Sequence, residues 1–189
     1  MVTACALTEL GQGEFLGELD VMLEIYASAM DADAASLPGR RDLMRRHATF
    51  PAFRALRARS VTGGPAVGFA YGFHGESGQW WYDAVWSALA RAFGMPSAAA
   101  WLADCLEIAE VHVRKDHQRL GIGSRMLTTL VSGRLERTAV LSTPDKDTTA
   151  RRLYRRMGFR DLLTGYSFPG GSPLYAVMGA DLPLRPSTW

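Results

Sequence analysis

Glu107, Glu110, His112, Gly121 and Gly123 lie within one stretch, Leu106 to Leu130, which reads L-E-I-A-E-V-H-V-R-K-D-H-Q-R-L-G-I-G-S-R-M-L-T-T-L. Glu107, Glu110 and His112 can move protons, and they fall on what reads as a strand of β-branched and aliphatic residues. After a short charged turn, Gly121 and Gly123 open a segment whose apolar residues Ile122, Met126, Leu127 and Leu130 follow a helix face. A glycine-rich helix start makes an anion seat. Its first N–H groups lack in-helix acceptors, the dipole adds partial positive charge, and glycine lets a phosphate reach the main chain. The flanks exclude two common nucleotide sites. There is no Gly-Lys-Ser/Thr, and Arg125 and Met126 follow where a G-x-G-x-x-G fingerprint needs its last glycine.

With Gln118 and Arg119 ahead of the glycines, Q-R-L-G-I-G resembles the pyrophosphate signature of the GNAT superfamily of acetyl-CoA-dependent N-acetyltransferases, Q/R-x-x-G-x-G/A. A second segment, A-R-R-L-Y-R-R-M-G-F from Ala150 to Phe159, is similar to the family's A-x-x-L-Y-x-x-x-G-F beside bound coenzyme A. The resemblance implies an α/β GNAT fold, with a mixed, mostly antiparallel sheet flanked by helices and splayed between the Leu106 and Ala139 strands. It implies acetyl-CoA as cosubstrate and no metal. Val111, His112 and Val113 would run beside the pantetheine arm, with backbone groups of Val111 and Val113 bonding it. Gln118, Arg119, Leu120, Gly121, Ile122, Gly123 and Ser124 would surround the pyrophosphate. Asp147, Ala150 and Tyr154 would lie in the second coenzyme segment. Asp147 departs from the family, which often has asparagine there, and an acceptor-only carboxylate cannot donate the amide's hydrogen bond.

Acetyl transfer to an amine needs that amine neutral, so a proton acceptor is required. Glu110 is the first candidate, because a regular strand puts Leu106, Ile108, Glu110, His112 and Arg114 on one face. Glu107 falls on the other face and is the reserve, since a β-bulge would exchange the two. His112 reads as a proton relay or as a partly buried strand residue. By resemblance Tyr154 returns a proton to the departing thiolate, which its phenol, ordinarily titrating near about 10, can supply at neutral pH. Lys115 reads as solvated. Cys5 and Cys105 give no sign of a covalent acetyl-enzyme.

These residues need a frame. Val2 to Leu10 suits an opening strand, Glu14 to Met30 a first helix, and Pro38 to about Ala48 a second. Phe53 to Thr62 alternates enough for a strand, and Gly63-Gly64 turns it into Ala66 to Phe73. Glu76 to Asp104 holds Trp80, Trp81, Trp86 and Trp101 and reads as a helical insertion before the motif strand. Trp81, Val85, Leu89 and Phe93 make a helix that Gly94 and Pro96 end, and Ser97 would cap a short one to Ala103. Its aromatics would pack on the sheet edge or wall an acceptor pocket. Arg137 to Thr143 reads as a strand, Asp147 to Thr149 as the cap of a helix ended by Gly158, and Phe159 to Phe168 and Pro173 to Gly179 as strands. The tail, 183–189, reads as loose.

The chain has 189 residues, 48% of them apolar, which suits a single α/β domain over 1–189, with two small lobes as the other arrangement. Twenty-one basic and 19 acidic residues give a formal charge of +2 without a long basic run, so nucleic acid is not an expected partner. Two cysteines make no disulfide framework, and no run of about 18 apolar residues occurs, so a cytoplasmic protein without a membrane partner is expected. The expected partners are acetyl-CoA and a small-molecule or peptide amine, with a homodimer open. The other functional readings are a coenzyme A-binding regulatory module without transfer activity and a non-acetyl acyltransferase.

Overall fold

The computed structural model describes residues 5–61, 63–171 and 173–185. Seven strands form one mixed sheet in the order β1-β2-β3-β4-β5-β7-β6, flanked by helices, as expected. β1 (Ala6–Leu10), β2 (Arg54–Arg59) and β3 (Ala66–Gly75) make antiparallel ladders in sequence. β4 (Cys105–Val113) runs parallel to β5 (Thr138–Pro144), and β5 and β6 (Arg160–Tyr166) both pair antiparallel with β7 (Tyr175–Asp181). The β4–β5 register covers only Cys105 to Glu107, opposite Thr138 to Val140. By contacts the chain divides into two compact units, Met1–Phe73 with Ile108–Leu130 and His74–Glu107 with Val131–Trp189.

In the first unit, α1 (Gln12–Gly17), α2 (Leu19–Met30) and α3 (Leu37–His47) share a core with β2 and β3. Phe15, Leu19, Met22, Ile25, Met44, Phe69, Tyr71 and Phe73 are among its fully enclosed members. Phe15 meets Phe53 and Tyr71 edge-on at 5.1 and 5.3 Å, the offset geometry that aromatic quadrupoles favour. The first helix expected over Glu14 to Met30 is two helices. The chain breaks at Glu18 (φ −104°, ψ 12°), whose N–H is shared between the Glu14 and Phe15 carbonyls, just after the poor helix former Gly17. Pro38 enters the first turn of α3, where its missing N–H costs no bond. Gly68 on β3 leaves room for a close strand approach and for α6 (Ile122–Val131), since a Cβ there would lie 3.0 Å from the His112 carbonyl and 3.2 Å from Met126 Cε.

In the second unit, α4 (Trp80–Phe93) and α5 (Met95–Leu102) pack with β5 and β7 around Tyr82, Val85, Leu89, Leu102, Val140 and Val177. Ser97 does not cap α5. Pro96 and left-handed Gly94 (φ 86°) set its start, and the Ser97 hydroxyl donates to the Phe93 carbonyl at 3.0 Å. Most of the aromatic segment is packing. Trp81 Nε1 donates to Ser142 Oγ at 3.0 Å, Tyr82 stacks on Trp86, and the Arg160 guanidinium lies 4.6 Å from the Trp101 ring centroid. Trp80 and Phe93 stay exposed. α7 (Thr149–Arg156) starts at Thr148, whose hydroxyl accepts from Arg151 N at 3.1 Å.

Among the described residues no helix is long and apolar enough to cross a membrane. The start of the opening strand, Val2 to Ala4, the strand end expected at Thr62, and tail residues 186–189 lie outside the described residues.

Candidate active site

β4 carries the proton-moving groups, and their surroundings differ sharply. Glu110, 7% exposed, accepts from Arg40 Nη1 at 2.7 Å through Oε1 and is bonded by His112 Nε2 through Oε2. Arg40 comes from α3. Its other terminal nitrogen donates to the Tyr26 hydroxyl on α2 at 2.9 Å, and its guanidinium lies 4.5 Å from that ring's centroid. His112 meets Tyr26 edge-on at 5.1 Å and Phe69 at 5.4 Å, which fixes the imidazole plane. Burial pushes the Glu110 carboxyl up, but the charge and hydrogen bond of His112 and the charge of Arg40 outweigh it and hold Glu110 below the usual carboxylate range. Burial pulls His47 down to about 4, so it is neutral at pH 7, with its Nδ1 3.1 Å from the Tyr71 hydroxyl.

Glu107 is the contrast. It is 4% exposed, and its Oε2 is buried without a hydrogen-bond partner among the described residues. Burial pushes its carboxyl up to about 8. In the same unit, burial and then the Glu107 charge push the Cys105 thiol up to about 12, so it is no thiolate at neutral pH.

Past Val113 the chain makes a short turn at Lys115–His117, and the Gln118 side-chain amide donates to the Val113 carbonyl at 3.0 Å, closing the strand end onto the motif. Arg119 (φ 63°) and Gly121 (φ 80°) are both left-handed, and these two reversals bring the chain into α6. No heavy atom lies within 4 Å of where a Gly121 Cβ would stand. The first α6 bond runs from Arg125 N to the Gly121 carbonyl at 3.1 Å, so Ile122, Gly123 and Ser124 form the opening turn. Ile122, Met126, Leu127 and Leu130 are buried, as the helical spacing predicts. Arg119 and Arg125 are exposed and make no ion pair among the described residues, whereas Lys115 is paired with Asp31. Gly121 and the opening turn of α6 thus have the room and the polarity for a diphosphate.

The predicted site residues divide between the units. Glu110, Val111, His112, Val113 and Gln118 to Ser124 belong to the first, and Asp147, Ala150 and Tyr154 to the second. Tyr154 is buried on α7, its ring centroid 5.9 Å from that of Phe159. Arg151 is held by Asp145 and Asp161, which steadies the helix start. Asp147 is exposed and accepts from Arg152 Nη1 at 2.7 Å, and Ala150 is exposed. Sequence reasoning did not single out Arg40 or Tyr26, for which no local spacing gives a signal.

Residues 67–161 match the sequence model of the acetyltransferase (GNAT) domain. Over 132 residues the chain is 38% identical to a GCN5-like protein acetyltransferase of Mycobacterium tuberculosis, an alignment covering 67% of this chain and 64% of that one. The chain therefore spans less than two thirds of that relative's length. Among solved structures it is similar to yncA of Salmonella typhimurium with its cofactor acetyl-CoA (TM-score 0.62, 16% identity, 97% of each chain). It is also similar to the ribosomal-protein-S18-alanine N-acetyltransferase of Escherichia coli (TM-score 0.62, 14% identity, 98% of this chain and 99% of that one). A third is a GNAT-family protein of Desulfovibrio desulfuricans (TM-score 0.64, 13% identity, 94% and 99%).

Proposed function

The chain belongs to the GNAT acetyltransferases, and from that premise we propose that it moves an acetyl group from acetyl-CoA directly to the amine of a small molecule or peptide. The observation that carries this reading is the strand-to-helix connection. Two left-handed residues, Arg119 and Gly121, lead into the opening turn of α6 with open space at Gly121 and exposed arginines on either side. Backbone amides there would hold the pyrophosphate, with Arg119 or Arg125 supplying charge. Val111 and Val113 lie beyond the last β4–β5 register pair, at Glu107, which suits backbone bonding to an extended pantetheine arm. Tyr154 serves as the acid for the departing thiolate, the role its family segment implies. Direct transfer is favoured over a covalent intermediate, because burial raises both the Cys5 and Cys105 thiols. The whole chain acts as one catalytic domain in this reading.

Two carboxylates of β4 bear on the amine's proton. Glu110 is held ionised by His112 and Arg40, so it acts with its histidine rather than alone. A second reading gives the duty to Glu107 through water, favoured by its unpartnered oxygen and raised carboxyl. An amine library with acetyl-CoA, read by free thiol release, tests the transferase reading. Turnover with at least one amine is expected. Acetyl-CoA binding without thiol release across the library points instead to a regulatory module, and faster release from longer acyl thioesters to another acyltransferase.

A further inference from the structure

Four side chains from three elements converge on β4 in the first unit, and only one of them still has an open basic atom. A carboxylate is acceptor-only, so the Glu110–His112 contact requires a proton on His112 Nε2, and the form of the ring that can act as a base then carries its lone pair on Nδ1. No described residue is bonded to Nδ1, and His112 keeps 12% of its side chain exposed. Glu110 has both oxygens engaged and is fixed by Arg40, which Tyr26 fixes in turn. A carboxylate behind an imidazole sets its tautomer and stabilises the imidazolium once a proton arrives. Resting on the transferase reading, we infer that His112 is the catalytic base for the acceptor amine, with Glu110 and Arg40 as the positioning residues behind it.

The step balances. The ammonium form of the acceptor gives one proton to His112 Nδ1, making imidazolium and a neutral amine. The amine's lone pair forms the N–C bond at the thioester carbonyl. The C–S bond breaks with its electron pair on sulfur, and that thiolate takes a proton from the acid. The second proton leaving nitrogen makes good the one the acid gave, and His112 returns its own to solvent. The groups against the imidazole are Glu110 on its own strand, Tyr26 on α2 and Phe69 on β3, while Arg40 on α3 acts on Glu110 and Tyr71 on β3 meets neutral His47 of α3. Reach favours His112 over Glu107, because a base must come within hydrogen-bond distance of the proton it takes, and Glu107 is almost wholly enclosed.

The test uses the full chain and the best amine of the library. His112→Gln should lower kcat/KM for the amine by about 10²-fold, abolish the acidic limb of its pH profile and leave KM for acetyl-CoA within about twofold. His112→Ala should recover activity with added imidazole. Arg40→Met should shift the limb, and Arg40→Lys should shift it less. A limb unchanged in His112→Gln, or one abolished by Glu107→Gln alone, overturns the assignment while leaving the transferase reading intact. An inactive wild type strikes the transferase reading instead. The histidine then still has its own readout, because ¹⁵N spectra should show the neutral His112 ring protonated on Nε2, and an Nδ1–H ring sinks the proposal.

Discussion

Arg40 on α3 and Glu110 on β4, 70 residues apart in sequence, form an ion pair at 2.7 Å with the carboxylate 7% and the guanidinium 30% exposed. Removing one partner of such a pair leaves an uncompensated charge rather than merely deleting a contact. Arg40→Met should therefore destabilise the protein by about 2–3 kcal/mol, less than the ~3–5 kcal/mol of a fully buried pair because Arg40 keeps some solvent. Glu110→Gln with Arg40→Met should recover part of that loss. Urea melts of the two single variants and the double variant measure the coupling, and strict additivity would mean the pair contributes nothing.

Glu107 gives a pH signature of opposite sign to an ion-paired acid. Its carboxyl rises from 4.5 to about 8 on folding, so its stabilising contribution is complete below about 4.5 and is lost as pH rises towards 8. Glu107→Gln never has to ionise. The variant should gain on wild type between pH 5 and pH 8, by on the order of 3–5 kcal/mol if the full shift applies. Denaturant midpoints at the two pH values check this, and a constant gap between the proteins would remove the raised carboxyl from the account.

What the sequence disclosed and what it hid divide along contact range. Gln118 to Gly123 and Ala150 to Phe159 are local patterns, so the glycine-led start of α6 and the buried face of α7 that holds Tyr154 are legible by reading. The alternation of β4 likewise linked Glu110 to His112 two residues on. Arg40 could not be found that way, because four arginines share α3 and only the fold selects the one that meets Glu110. Nor could the break at Glu18, since the apolar stripe of Phe15, Leu19 and Met22 runs across it without interruption. The contrast between two glutamates three residues apart comes from what each packs against. Glu110 meets an arginine and a histidine, while Glu107 Oε2 meets no polar partner among the described residues.

Gly121 separates backbone from side-chain demands. At φ 80° an alanine costs about 1–2 kcal/mol of local strain, while the space around the added methyl is open to protein atoms. Gly121→Ala should fold with modestly lowered stability, but the methyl intrudes where a phosphate would lie. Acetyl-CoA affinity should fall by about 10-fold or more, a loss of at least ~1.4 kcal/mol. Calorimetric titration with acetyl-CoA measures it, and unchanged affinity would move the diphosphate away from this turn.

Tyr154 is the last group whose role rests on one atom. Its ring packs with Phe159 behind α7, so Tyr154→Phe keeps the ring contact and removes only the hydroxyl. If that hydroxyl protonates the departing thiolate, kcat should fall by about 10²-fold, the lower range for a general acid, because a thiolate leaves readily without help. The Kd for acetyl-CoA should hold within about twofold, since a group that acts in the transition state alone affects turnover rather than binding. The loss should shrink with acyl thioesters whose thiols are more acidic, because those leaving groups need less protonation. An equal loss across that series would show that the hydroxyl supports the fold of α7 rather than the chemistry. Unchanged turnover would leave the acid to be found elsewhere.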